Sequence, residues 1–215
     1  MDKKLWNATW IVLRPLLAVF CRYRITGSEN IENAPKPCIL AIATHSNVLD
    51  PYIASTAMPF NCRLYPIPYM TKEALFKIPI VKNIVKAYKA FPVIRGLGLE
   101  NTLKPAAELI KQGYPVGLFV EGKINKFGEL REAKPGAAAL SLMTNTPIIP
   151  ISLKGTHQIR NPLKFLFLQK KINVSFGQPI YPQKEYTENP GLNQEAVNVL
   201  TEKINSEIKK LHSAF

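Results

Sequence analysis

A histidine and an aspartate, His45 and Asp50, have the residue types and the spacing needed for general base catalysis. They follow an apolar run, Cys38–Ala43, that predicts a buried strand, and they precede Pro51, which favours the first turn of a helix. Open α/β sheets place their ligand crevices at the carboxyl ends of strands. With His45 in the loop and Asp50 at the helix start, the carboxylate can hold one ring N–H and leave the other nitrogen to accept a proton.

The same residues also fit a purely structural interpretation. Asp50 would then cap the helix that follows it, and His45 would be a loop residue with satisfied hydrogen bonds. The pair alone does not decide between the two interpretations, so the rest of the chain has to.

The composition is that of an ordinary globular protein. The 215 residues are 47% hydrophobic and 20% charged, which predicts one domain with a full core and little disorder. The three cysteines, Cys21, Cys38 and Cys62, are an odd number without paired spacing. This pattern predicts a reduced protein on the cytosolic side and argues against a metal site.

The net charge of +13 is large and unevenly distributed. No acidic residue lies between Glu132 and Glu185, whereas that interval holds seven basic residues: Lys134, Lys154, Arg160, Lys164, Lys170, Lys171 and Lys184. Such a protein is expected to have an anionic partner, either nucleic acid or an anionic membrane surface. For nucleic acid we would expect aromatic residues interleaved with basic ones, and the aromatic residues here lie mostly in apolar runs, which favours the membrane.

Residues 1–22 are predicted to form a segment distinct from the domain at 23–215. The segment combines Trp6 and Trp10 with leucines and flanking basic residues, but Arg14 and Pro15 interrupt it well short of the about 20 apolar residues that a span requires. It also lacks the small-residue cleavage site of a signal peptide. We therefore predict an amphipathic helix in the membrane interface, on the cytoplasmic face; the alternative is a helix packed on the domain's own core.

Apolar runs alternating with helical periodicity predict an α/β domain whose mostly parallel or mixed sheet is flanked by helices. Three predicted strands end on polar residues, His45, Arg95 and Glu121, which predicts one shared site. Arg95 could bind a phosphate there, although a solvated charge is the simpler explanation. Further predictions are a strand at 62–68, helical structure at 71–77, a structural loop role for His157 and a frayed C-terminus around His212.

Four blocks in the same order resemble the glycerophospholipid acyltransferases, in particular bacterial 1-acylglycerol-3-phosphate acyltransferases. They are His45-Ser-Asn-Val-Leu-Asp50, Phe91-Pro-Val-Ile-Arg95, Phe119-Val-Glu-Gly-Lys123 and Pro147-Ile-Ile-Pro150. The likeness extends over about residues 23 to 182 and includes connecting text such as Lys134-Pro-Gly-Ala.

The resemblance implies transfer of an acyl group from acyl-CoA or acyl carrier protein to a lysophospholipid hydroxyl, without a cofactor. His45 would be the general base and Asp50 its orienting partner, while Arg95, Glu121, Gly122 and Lys123 would bind the acceptor and its phosphate. No Gly-x-Ser-x-Gly sequence is present and Cys38 lies inside a strand, so a covalent acyl-enzyme is not expected.

The third block departs from the family's Phe-Pro-Glu-Gly-Thr-Arg. Val120 replaces the proline, Lys123 the threonine and Ile124 the arginine, which in the family helps to hold the acceptor phosphate. Phosphate binding would then fall to Arg95 and to Lys123 or Lys126, which lack a bidentate fork. A different lysolipid acceptor, or a transacylase, is therefore the main alternative, and a non-catalytic membrane- or nucleic-acid-binding protein is a weaker one.

Overall fold

A mixed sheet forms the centre of the computed structural model, which describes residues 3–94, 96, 98–160, 170–183 and 193–214. In these residues the strands of the main sheet run in the order β1-β7-β6-β2-β5, and only the β6–β7 pair is antiparallel. A parallel β3–β4 pair lies beside it, and the bridge between Tyr69 and Gly117 joins it to β5. The strands are β1 (Cys21–Thr26), β2 (Ile39–Ala43), β3 (Met70–Lys72), β4 (Phe91–Val93), β5 (Val116–Phe119), β6 (Ile148–Lys154) and β7 (Lys170–Phe176).

Helices cover both faces of this sheet, which explains why its central strands read as continuous apolar runs. Every residue of β2 is fully buried. One face packs against α1, α2 and α3, and the other against α5, α6 and α7. The helices are α1 (Lys4–Phe20), α2 (Ser28–Glu32), α3 (Asp50–Thr56), α4 (Pro79–Ala87), α5 (Leu99–Lys111), α6 (Gly136–Thr144) and α7 (Gln194–Ser213). The predicted fold class is confirmed.

Two local predictions between α3 and α4 were wrong. The strand predicted at 62–68 is a series of turns, because Pro66 and Pro68 have no N–H to donate to a ladder. The helix predicted at 71–77 begins instead as strand β3, which pairs with β4 from Met70↔Phe91 onward, and only Glu73–Lys77 forms a 3-10 turn. Pairing with a distant strand therefore overrode the local helical periodicity.

Helix α1 has one buried face and one exposed apolar face. On the buried face, Trp6 stacks on Tyr65 at 5.7 Å between ring centroids and meets Tyr88 edge-on at 4.9 Å. The outer face of α1 consists of the exposed residues Leu5, Val12, Leu16 and Val19, whose spacing brings them to one side. One face of α1 thus packs on the domain's own core, as the alternative interpretation predicted. The outer face is apolar and exposed, as the prediction of a membrane-interface helix requires. Among the described residues, no helix is both long and apolar enough to cross a membrane.

The prediction of a frayed terminus around His212 was wrong, because His212 lies half-buried in the last turn of α7. Its Nδ1 is 3.0 Å from the hydroxyl of Ser152 on β6, and Lys154 Nζ donates to its carbonyl oxygen at 3.3 Å. Burial, helped by the charge of Lys154, lowers the pKa of His212. The contact therefore anchors α7 to the sheet with a neutral imidazole.

This anchor predicts a loss of stability in mild acid. Below the unfolded-state pKa of about 6.5 the unfolded chain binds a proton that the folded chain excludes, so the free energy of unfolding falls as the pH falls below that value. Urea unfolding of wild type and His212→Gln at pH 7.5 and 5.5 checks this. The acid-induced drop should be smaller in the variant, and equal drops would contradict the anchor's protonation state.

Candidate active site

His45 and Asp50 meet at the carboxyl end of β2, with His45 in the loop after the strand and Asp50 at the start of α3. His45 Nδ1 is 2.9 Å from Asp50 Oδ2. An ionised carboxylate only accepts hydrogen bonds, so the ring proton sits on Nδ1 and leaves Nε2 as an acceptor. This is the arrangement that a general base requires.

Asp50 is completely buried, and one of its carboxylate oxygens is held by the local backbone. The same Oδ2 atom accepts hydrogen bonds from the backbone N–H groups of Ser46 and Asn47, each at 2.7 Å. The other carboxylate oxygen, Oδ1, is buried without a hydrogen-bond partner among the described residues. Asp50 therefore fixes the loop and orients the imidazole, but it does not cap the helix, because the N-cap of α3 is Leu49 and has no side-chain cap hydrogen bond.

An aromatic ring supports the imidazole from one side. The His45 ring stacks on Phe119 at 3.8 Å between centroids, with 19° between the ring planes. Phe119 ends β5, where it pairs with Ile42 of β2. The ring centroid of Tyr69 lies 6.3 Å from that of Phe119. The His45 side chain remains 17% exposed, so this packing fixes the ring while leaving an edge open to a substrate.

Loops after two other strands close around the histidine. Asn125, beyond β5, donates its backbone N–H to the His45 carbonyl oxygen at 2.6 Å. Thr156, beyond β6, has its hydroxyl 2.8 Å from that of Ser46. Phe119, Asn125 and Thr156 were missed by the sequence prediction, because their contacts with the loop depend on which strands are neighbours.

Glu121 is brought to the same place as predicted, but its side chain is only 4% exposed. Its Oε1 accepts a hydrogen bond from the Arg131 N–H at 3.3 Å. Burial raises the pKa of Glu121, whereas hydrogen bonds from the backbone N–H groups of Arg131 and His45 oppose this shift. The carboxylate thus supports the backbone of the histidine loop from inside the protein.

The other predicted binding residues lie around this centre or outside the described part. Gly122 and Lys123 are exposed directly after Glu121, and Gly122 has a positive φ of 69° that favours glycine. Arg95 lies outside the described residues. The structure thus brings together His45, Asp50, Glu121, Gly122 and Lys123.

An apolar groove of about 520 Å³ lies between α1 and the histidine loop. Its walls come from α1, from the loop 46–49, and from Ile53, Ile159, Ile124 and Lys126. Ile124, which stands where the family has a phosphate-binding arginine, is therefore part of the wall of this groove. The groove borders the loop directly after His45, and its mostly apolar walls suit an aliphatic chain.

Comparison with known proteins agrees with this geometry. A model of the acyltransferase family matches residues 22–154, which include both His45 and Glu121. The chain belongs to the acyltransferase family.

Several relatives of this acyltransferase are similar to it over most of its length. A 1-acyl-sn-glycerol-3-phosphate acyltransferase of Bacillus subtilis is 30% identical over 86% of this chain and 86% of its own length. One of Borreliella burgdorferi is 29% identical over 73% of this chain and 58% of its own. The crystal structure of the 1-acyl-sn-glycerophosphate acyltransferase PlsC of Thermotoga maritima shares the fold, with a TM-score of 0.71 at 20% identity over 98% of this chain and 78% of that one.

The cysteines of this acyltransferase are poor candidates for a covalent intermediate. All three are free and buried. Burial raises the pKa of the Cys21 thiol to about 11 and that of Cys38 to about 12, so neither is a thiolate at neutral pH.

Proposed function

We propose that this acyltransferase moves a fatty acyl group from acyl-CoA or acyl carrier protein to the free hydroxyl of 1-acylglycerol-3-phosphate, giving phosphatidic acid. The single observation that carries the mechanism is the hydrogen bond between His45 Nδ1 and the buried Asp50 Oδ2. The choice of 1-acylglycerol-3-phosphate as the acceptor follows the names of the relatives. The proposal requires no cofactor beyond the acyl thioester substrate.

In this mechanism the proton of the acceptor hydroxyl moves to His45 and then to the leaving thiolate. The acceptor hydroxyl attacks the thioester carbon while Nε2 of His45 takes its proton, and Asp50 stabilises the imidazolium that forms. The tetrahedral intermediate then expels the thiolate, which takes the proton from His45 and leaves as the free thiol. The apolar groove beside the loop would hold a fatty chain near the imidazole.

We further propose that the outer face of α1 lies in an anionic membrane surface on the cytoplasmic side. Val12 and Val19 on that face are 64% and 72% exposed, and the net charge of +13 would attract anionic lipid. Both substrates of the proposed reaction carry fatty chains, so attachment to a bilayer would deliver the acceptor to the site.

Placing charges on that outer face should weaken membrane binding. Each buried valine contributes about 1.5 kcal/mol, so Val12→Glu with Val19→Glu should lower vesicle partitioning by roughly 100-fold or more. Cosedimentation with vesicles containing phosphatidylglycerol measures this. Val199→Glu on α7, where Val199 is 49% exposed, is the matched control and should bind as wild type does. Equal binding by all three proteins would contradict the assignment of this face.

A different lysolipid acceptor is the second candidate, favoured by Ile124 in the groove wall in place of an arginine. The deciding experiment measures thiol release from palmitoyl-CoA, with mass detection of the lipid product, for a panel of acceptors. The proposal predicts that 1-acylglycerol-3-phosphate gives the highest kcat/KM and yields phosphatidic acid. A higher value with lysophosphatidylcholine, lysophosphatidylglycerol or monoacylglycerol would replace the acceptor but keep the acyl transfer.

A further inference from the structure

Lys134 lies directly over Gly122, next to the candidate site. Its backbone N–H donates to the Val120 carbonyl oxygen at 2.8 Å, which fixes the residue beside the end of β5. A Cβ atom at position 122 would lie 3.2 Å from Lys134 Cδ, 3.6 Å from Cε and 3.8 Å from Nζ. The lysine side chain therefore runs across the face of Gly122, in space that any other residue would partly fill.

Residues on both sides of Gly122 in the chain contact the backbone of His45. The residue before it, Glu121, contacts the backbone of His45, and Asn125 donates to the His45 carbonyl oxygen. The ammonium group that covers Gly122 therefore belongs to the same loop region that holds the backbone of His45.

Among the described residues, Lys134 forms no ion pair. The salt bridges found there involve other lysines, and Glu132 pairs at 3.9 Å with Lys209 of α7. Glu121, the nearest acid along the chain to Gly122, is buried and directs its Oε1 to the backbone. Lys134 is exposed, so its ammonium can meet an anion from solution.

The site also lacks a cation that its family usually has. Ile124 stands at the arginine position and lines the apolar groove, whereas Lys134 lies over Gly122 and the exposed Lys123 follows Gly122 in the chain. A lysine binds phosphate as a point charge with up to three donors. Lys134 over Gly122 and Lys123 directly after it supply the two positive charges of a phosphate subsite.

We propose that Lys134 is a specificity-determining residue that binds a substrate phosphate over Gly122, in place of the arginine absent at position 124. The inference rests on the proposed function. The phosphate belongs either to the lysophospholipid acceptor or to the CoA part of the donor, and the arms of the experiment separate these sources.

The kinetic arm compares wild type, Lys134→Gln and Lys134→Arg, with Lys104→Gln on α5 as the matched surface control. Lys134→Gln should raise KM for 1-acylglycerol-3-phosphate about tenfold with little change in kcat, while Lys134→Arg keeps most of the affinity. KM for monoacylglycerol, which lacks the phosphate, should not change. A rise confined to KM for acyl-CoA, and absent with acyl-pantetheine, would assign the same subsite to the donor's phosphate.

A binding arm keeps the inference independent of turnover. Titration with sn-glycerol 3-phosphate, followed by NMR, should give a dissociation constant about tenfold higher for Lys134→Gln than for Lys104→Gln. One outcome is that wild type fails to acylate 1-acylglycerol-3-phosphate while Lys134→Gln still binds sn-glycerol 3-phosphate about tenfold more weakly than Lys104→Gln does. In that case the proposed function fails and the phosphate subsite stands. Equal constants, or equal kinetic losses with phosphate-bearing and phosphate-free substrates, would overturn the assignment of Lys134.

Discussion

Asp50→Asn is expected to lower kcat by about 100- to 1000-fold without unfolding the protein. An asparagine oxygen in the place of Oδ2 can still accept from the Ser46 and Asn47 N–H groups and from His45 Nδ1, so the loop and the tautomer are preserved. What is lost is the negative charge that stabilises the imidazolium in a buried site. Losing one preorganised electrostatic partner typically has an effect of this size.

Asp50→Ala separates this charge effect from the structural one. Alanine leaves the Ser46 and Asn47 N–H groups without their acceptor, so it should also reduce stability by about 1–3 kcal/mol. Steady-state kinetics and urea unfolding of both variants measure the two effects. If Asp50→Asn keeps kcat within about threefold of wild type, the carboxylate only holds the loop backbone and has no part in the chemistry.

Trp6→Ala is expected to reduce the free energy of unfolding by about 3–5 kcal/mol, the largest loss of stability that we predict for a single substitution. The ring is only 2% exposed and contacts four tyrosines: Tyr52, Tyr65, Tyr69 and Tyr88. Removing it leaves a cavity between α1 and the domain, next to the helix that carries Asp50. The substitution should therefore loosen both α1 and the neighbouring apolar groove.

Trp10→Ala is the matched control on the same helix. Trp10 is only partly buried. Its ring meets the exposed Phe60 edge-on, and its Nε1–H donates to the Met58 carbonyl oxygen. Its removal should cost clearly less than that of Trp6. Urea midpoints followed by near-ultraviolet circular dichroism give the comparison, and equal losses would show that α1 is not docked through Trp6.

The main elements could be predicted because their sequence signals are local. The apolar runs before His45 and Glu121 gave the strands β2 and β5, and the prediction that their ends meet is explained by direct parallel pairing of these two strands. The tight turn after β2, with Pro51 in the next helix, likewise placed Asp50 close enough to reach back to His45.

What could not be predicted depends on contacts between distant segments. The ring behind His45 is Phe119, and nothing in its local sequence shows that it faces the histidine across neighbouring strands. The periodicity of α1 showed an apolar side, but the buried side is determined by tyrosines 46 to 82 residues away from Trp6. For the same reason the sequence did not predict Lys134 as a site residue, because its position over Gly122 depends on the fold.

The most direct test of the central claim is a single-turnover assay of His45→Gln with palmitoyl-CoA and 1-acylglycerol-3-phosphate, detecting both free thiol and phosphatidic acid. General base catalysis of this kind is worth about 100- to 10,000-fold, so the rate of product formation should fall by at least 100-fold while the urea midpoint stays close to that of wild type. His212→Gln, assayed at pH 7.5, is the histidine control and should keep the wild-type rate. A His45→Gln rate within threefold of wild type would contradict the account, because the proton would then leave the acceptor hydroxyl by a route that does not involve His45.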